Sequence, residues 1–244
     1  MIAPQSQRLP HAVLDQDSRN RKALKIERLL GLANRGGPLH ILEIGTGSGG
    51  IAHYFGTHQH LHCEVTAVDI SDNRLVHEGY CYQQVQGVEL PFGNAGFDVV
   101  ISNHVIEHVG DAEAQAHHLA EIRRVMKPGG DGYLAVPNRW MLTEPHYRLM
   151  FLSWWPHSWR TPYLRLMRKG EFYDCEPIEK YRLERMLCDA GLGYRNLCIE
   201  AMRETLAIER PQSMVTHILG KVPDWLLKPL RGLIPTLIYR IDRR

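Results

Sequence analysis

Leu39-His-Ile-Leu-Glu43-Ile-Gly45-Thr-Gly47-Ser-Gly49-Gly50, followed at once by Ile51-Ala-His-Tyr-Phe55, is the stretch on which the fold turns. Its apolar opening is too short for a helix and is rich in Ile and Leu, which marks a buried strand; four glycines end it and a helical run begins. Glycine reaches backbone conformations closed to other residues and lets the main chain approach a ligand closely. Gly45, Gly47 and Gly50 also satisfy GxGxxG, so the turn by itself leaves open a nicotinamide dinucleotide, another nucleoside cofactor, or no ligand at all.

Outward from that turn, the next apolar run is Glu64-Val-Thr-Ala-Val-Asp69-Ile70, and its carboxylate stands 24 positions after Gly45. At about that spacing an acidic strand end meets ribose hydroxyls, which makes Asp69 the ribose candidate. The alternative is an aspartate that caps the following helix. Phe97 to Ser102 and Gly132 to Val136 are the next strand candidates, counted as the fourth and fifth strands of the sheet, and helical patterns fall between the candidates. Such alternation predicts a doubly wound, mostly parallel α/β sheet. Ala112 to Met126 reads as the crossover helix between the fourth and fifth strands, stopped by Lys127-Pro128-Gly129-Gly130, and Ser18 to Ala33 reads as an amphipathic entry helix.

Past the fifth strand the pattern breaks. Residues 139–174 hold Trp140, Trp154, Trp155 and Trp159, four of the five tryptophans, and are expected to form an inserted, aromatic-rich helical cap. Pro177 to Ala190 then resumes a helical pattern, Tyr194 to Ala201 is expected as a sixth strand, and Thr236 to Ile241 as a last strand beside it. The whole chain, 1–244, is expected to be one domain, with its core at 39–138 and the cap at 139–174.

Composition narrows the function classes. Twenty-nine basic against 27 acidic residues leave a net charge of +2, so there is no electrostatic ground for a nucleic-acid partner. Cys63, Cys81, Cys175, Cys188 and Cys198 are odd in number, widely spaced and without a CxxC pair; this predicts a reducing, cytoplasmic setting. No apolar run long enough to span a membrane occurs. Val222 to Ile234 mixes apolar anchors with Lys228 and Arg231, a pattern compatible with peripheral membrane contact, although two internal prolines interrupt it.

Four blocks in order, ILEIGTGSGG, VDIS, LPFGNAGFDVVISNHVIEHV and IRRVMKPGGDGYLAVPN, resemble the methyltransferase type 11 family of class I S-adenosylmethionine-dependent enzymes across residues 39–138. The last two have no counterpart in the nicotinamide fingerprint. The resemblance implies a Rossmann-like, seven-stranded sheet and S-adenosylmethionine as cofactor. It implies that Glu43 meets the methionine amino group and that Gly45, Thr46, Gly47 and Gly49 lie against the cofactor. It implies further that Asp69 and Ile70 border the ribose, that Gln86 and Val88 border the adenine, and that Asn103 closes over the methionine end. An Asp common in the family near the adenine is replaced here by Gln86 or Gly87, and the Gln86 amide remains able to contact the ring.

Methyl transfer from a sulfonium mainly requires an acceptor lone pair aligned with the S–CH3 bond, and a hydroxyl acceptor gains from a base. His108, in Asn103-His-Val-Ile-Glu-His108, and His146, just past the fifth strand, are the base candidates, each with a structural role as the alternative. Trp140, Tyr147, Phe151, Trp154, Trp155 and Trp159 either line an apolar acceptor site or form the cap's own core. No metal site is expected: His104 and His108 lack a third ligand, and His58, His60 and His62 sit in a polar connection. The expected reaction is O-methylation of a small, lipid-linked or glycan-linked acceptor, with C- or N-methylation of a small metabolite as the alternative. A noncatalytic partner subunit would show a degraded cofactor loop, whereas Glu43, the glycines and Asp69 are intact.

Overall fold

The computed structural model describes residues 15–144, 147–173 and 175–243. Its chain begins with α1 (Gln16–Leu30), which opens on Asp15, whose carboxylate accepts the Ser18 N–H at 3.0 Å, and closes on Gly31 at φ +65°. β1 (Leu39–Ile44) then runs into the glycine turn and α2 (Gly50–Gly56). β2 (Cys63–Asp69), β3 (Cys81–Gln84) and β4 (Phe97–Asn103) follow, then α3 (Ala112–Val125) and β5 (Met126–Pro137).

Beyond β5 the chain forms a small hairpin of β6 (Thr143–Glu144) and β7 (Leu149–Met150), then α4 (His157–Leu166). It returns to the main sheet through α5 (Lys180–Asp189), β8 (Gly193–Asn196), α6 (Cys198–Glu209), α7 (Met214–Lys221), α8 (Asp224–Leu227) and β9 (Thr236–Asp242).

Seven strands form one sheet in the order β3-β2-β1-β4-β5-β9-β8, with β9 antiparallel to both of its neighbours and the first five parallel. The two-residue alternation of a strand divides its side chains between the two faces. Thus Leu42 and Ile44 of β1, Val100 of β4, Leu134 and Val136 of β5 and Tyr239 of β9 enter one core, packed with Leu119 and Ile122 of α3 and Leu183 and Leu187 of α5. Ile41, Val99, Ile101, Tyr133 and Ala135 enter the other, against Ala23 and Ile26 of α1, Ile51 and Phe55 of α2 and Ala201 of α6. Burial on both faces is why these strands read as near-continuous apolar runs.

Two expectations are corrected in detail. The Lys127 to Gly130 turn lies within β5 as a bulge: the register advances from Met126 to Asp131 while β4 advances only from Phe97 to Val99. The sixth strand ends at Asn196, because the Asn196 side chain accepts the Cys198 N–H at 3.1 Å and starts α6, burying Cys198, Ile199 and Ala201 on one helical face. The segment from Val222 to Ile234 is a string of short helical turns. No helix among the described residues is long and apolar enough to cross a membrane.

Candidate functional site

β1 is where the strand order reverses: the chain moves outward to β2 and β3, then crosses back to place β4 on the other side of β1. In an open α/β sheet the crevice at the carboxyl ends of the strands flanking that reversal is the favoured ligand position. The glycine turn lies at this point. Gly45, Gly47 and Gly49 have φ of +73°, +55° and +82°, a left-handed alternation that only glycine adopts without strain. A Cβ on Gly45 would strike the Val105 side chain, and one on Gly49 would strike Tyr80 and the Val76 carbonyl.

Asp69, the last residue of β2, turns its carboxylate toward that loop, accepting the Gly47 N–H at 2.9 Å and the Ser71 N–H at 3.3 Å. The aspartate therefore braces the turn and still stands half-exposed beside it. Glu43 is 2% exposed and receives the Thr46 hydroxyl at 2.7 Å. Burial pushes its carboxyl up to about 8, against the opposing Thr46 hydrogen bond and the Arg19 charge. Ser48 contributes a buried hydroxyl with no hydrogen-bond partner among the described residues.

The apolar periodicity of α1 gave no sign that the charges of Arg19 and Lys22 would act on this carboxylate. Arg19 packs against Gly50, where an added Cβ would lie 2.7 Å from the Arg19 Cβ. Lys22 is brought down to about 8 by burial and by the neighbouring Arg19 and Lys25 charges, with Glu43 and Glu107 opposing. From the other side the segment after β2 folds back, with Leu75 N–H donating to the Ser48 carbonyl at 2.9 Å.

The remaining expected residues are spread around this centre. Ile70 packs on the core, and its carbonyl accepts the Gln84 amide at 2.9 Å. Gln86 is exposed and Val88 half-buried, both just beyond β3. Asn103 ends β4, and after it His104 takes φ +60° and donates its N–H to the Ala135 carbonyl at 2.9 Å. His108 lies on a one-turn 3-10 helix, Ile106–His108, beside a Glu107 that is 1% exposed. His104 Nδ1 pairs with Glu107 Oε1 at 3.1 Å. His146 lies outside the described residues.

The segment following β5 returns beside this turn, where the Glu176 N–H donates to the Glu107 carbonyl at 3.0 Å. Tyr147, Leu149, Leu152, Leu164, Tyr173 and Cys175 form a separate small core there. Phe151, Trp154, Trp155 and Trp159 are exposed, the last two stacked at 5.8 Å.

An acidic acceptor for an ammonium group, a glycine turn without side chains, a second carboxylate at the adjacent strand end and an orphaned hydroxyl suit a nucleoside cofactor bearing an amino-acid tail. A family model described as a methyltransferase domain matches residues 42–134. The malonyl-[acyl-carrier protein] O-methyltransferase of Erwinia pyrifoliae is 35% identical over 133 residues, 52% of this chain and 47% of that protein. A ubiquinone/menaquinone biosynthesis C-methyltransferase of Desulfotalea psychrophila is 32% identical over 97 residues, 37% of this chain and 38% of that protein. The chain thus aligns with less than half the length of either curated relative.

In fold, the chain is similar to a Haemonchus contortus phosphoethanolamine N-methyltransferase 2 solved with S-adenosylhomocysteine, at a TM-score of 0.54 and 18% identity over 91% of this chain and 52% of that one. The reversal at β1 and the seven-stranded order agree with that likeness in fold, and residues 42–134 are the part of the chain that matches the methyltransferase-domain family.

Proposed function

We propose that this chain transfers a methyl group from S-adenosylmethionine to an oxygen of a small acceptor, free or carried on a larger group. The observation that carries the reading is the convergence of Glu43, the Gly45 to Gly49 turn and Asp69 at the strand-order reversal. When bound, S-adenosylmethionine supplies a methyl group already activated by its sulfonium. Glu43 would take the methionine ammonium, Asp69 with Ile70 the ribose edge, Gln86 and Val88 the adenine side, and Asn103 the methionine end. Gly45, Thr46, Gly47 and Gly49 would let the backbone lie against the cofactor.

The acceptor would enter from the side of the Ile106–His108 turn, beneath the segment that follows β5. Holding it in line with the S–CH3 bond is the main task left to the protein. Oxygen as the acceptor atom is supported by the O-methyltransferase relative, whereas the C-methyltransferase relative favours carbon as the second reading.

Calorimetric titration with S-adenosylmethionine, S-adenosylhomocysteine and NADH tests the cofactor class: the first two should bind and NADH should not. Binding of NADH alone, or of none, overturns the proposal. Transfer of a labelled methyl group to a panel of carboxylic acids, phenols and enolisable ketones then separates oxygen from carbon.

A further inference from the structure

We propose that Glu107, His108 and Cys175 form a binding site for one divalent cation of borderline softness, zinc above all. One carboxylate oxygen, one imidazole nitrogen and the Cys175 sulfur lie within 4.8 Å of one another. Around tetrahedral zinc, with bonds of roughly 2.0–2.3 Å, such atoms sit roughly 3.3–3.8 Å apart, so small side-chain rotations bring the set to bonding distance. The ligands come from two segments 68 positions apart in sequence, and the Glu176 N–H to Glu107 carbonyl bond ties the two backbones together beside them. The third ligand that residues 104–108 lack is thereby supplied from the far end of the segment after β5.

An independent observation points into the cluster. Glu107 Oε1 is engaged by His104, but Glu107 Oε2 is buried and has no hydrogen-bond partner among the described residues. A carboxylate oxygen removed from water without a donor is costly, and a cation at this point satisfies it. Its other oxygen, held by the His104 ring, is oriented as outer partners orient metal ligands elsewhere. Thiolate, imidazole and carboxylate together suit zinc and disfavour magnesium or calcium, which take oxygen ligands throughout. Three protein ligands leave a fourth position for water or another oxygen donor. The site stands on these residues alone and does not require the methyl-transfer reading.

The test uses the full chain, stripped of metal and titrated with zinc by calorimetry and with cobalt(II) by absorbance. One equivalent should bind, and cobalt should give a thiolate charge-transfer band in the near ultraviolet. Cys175→Ser should abolish that band and weaken zinc binding at least about 100-fold, since loss of outer partners alone costs roughly 10–100-fold. Glu107→Gln, of nearly unchanged volume, should weaken zinc binding while keeping the band, and gives a second reading should either variant fold poorly. His60→Ala, in the separate histidine-rich connection, should change neither. Absence of the band in the unmodified chain, or zinc and cobalt binding by Cys175→Ser like that of the unmodified chain, overturns the proposal.

Discussion

Glu43→Gln should change how stability depends on pH, by an amount set by the burial of one carboxyl. Burial raises that group from 4.5 to about 8; the Thr46 hydrogen bond and the Arg19 charge oppose the rise, and Asp69 adds to it. Between these values the folded chain keeps a proton that the unfolded chain has released. The stabilisation is therefore complete below pH 4.5 and is lost as the pH rises through 8. The full difference, 3.5 pH units at about 1.36 kcal/mol each, is of order 5 kcal/mol, of which roughly 4 kcal/mol falls between pH 5 and 9.

Glutamine accepts the Thr46 hydroxyl equally well and has no proton to lose. Urea unfolding of both proteins without cofactor, from pH 5 to 9, should show the variant gaining about 4 kcal/mol relative to the parent. A difference that stays flat within about 1 kcal/mol refutes the account of Glu43 as a buried, protonated carboxyl. With S-adenosylmethionine the same group gives a second signal. An ammonium beside Glu43 favours the carboxylate, so binding at pH 7 should release close to one proton from the parent and none from the variant. Calorimetry in two buffers of different ionisation enthalpy measures that count.

Asp69→Ala removes the acceptor of the Gly47 N–H and the expected ribose contact. It should weaken S-adenosylmethionine binding roughly 10- to 100-fold with an unchanged circular dichroism spectrum, and an unaltered Kd would sink the ribose assignment. Gly49→Ala places a Cβ against Tyr80 and the Val76 carbonyl at φ +82°, and should cost at least ~2 kcal/mol in urea unfolding; a change under about 0.5 kcal/mol argues against that packing. His118 is buried with Nε2 3.0 Å from the Ser102 hydroxyl, and burial lowers it from 6.5 to about 4. The unfolded chain takes up that proton first, so stability should fall by about 3 kcal/mol as the pH drops from 6.5 to 4. In His118→Gln this loss should be absent, and an unchanged acid limb contradicts it.

Much of the frame was legible because it is encoded locally. An apolar run broken by glycines that must adopt positive φ and a carboxylate ending the next strand each act within a few residues of themselves. The doubly wound α/β frame, the turn and the position of Asp69 at the end of the next strand could be read on that basis. β3 could not: Cys81–Gln84 is a short, largely exposed edge strand with no apolar alternation, specified only by its register with β2. The start of α6 was equally hidden, since the Asn196 side chain, which accepts the Cys198 N–H just before the helix, competes with a β-compatible sequence.

What only the tertiary structure decided are the encounters. The charges of Arg19 and Lys22 act on Glu43 because α1 packs over the glycine turn, and Cys175 comes near Glu107 and His108 because the segment after β5 comes back to the turn beyond β4. Strand order and the return of a loop bring these groups together, and neither leaves a mark in the spacing of nearby residues. Local backbone preference is therefore readable along the chain, whereas the charge environment of Glu43 and the third ligand beside His108 exist only once the sheet has formed.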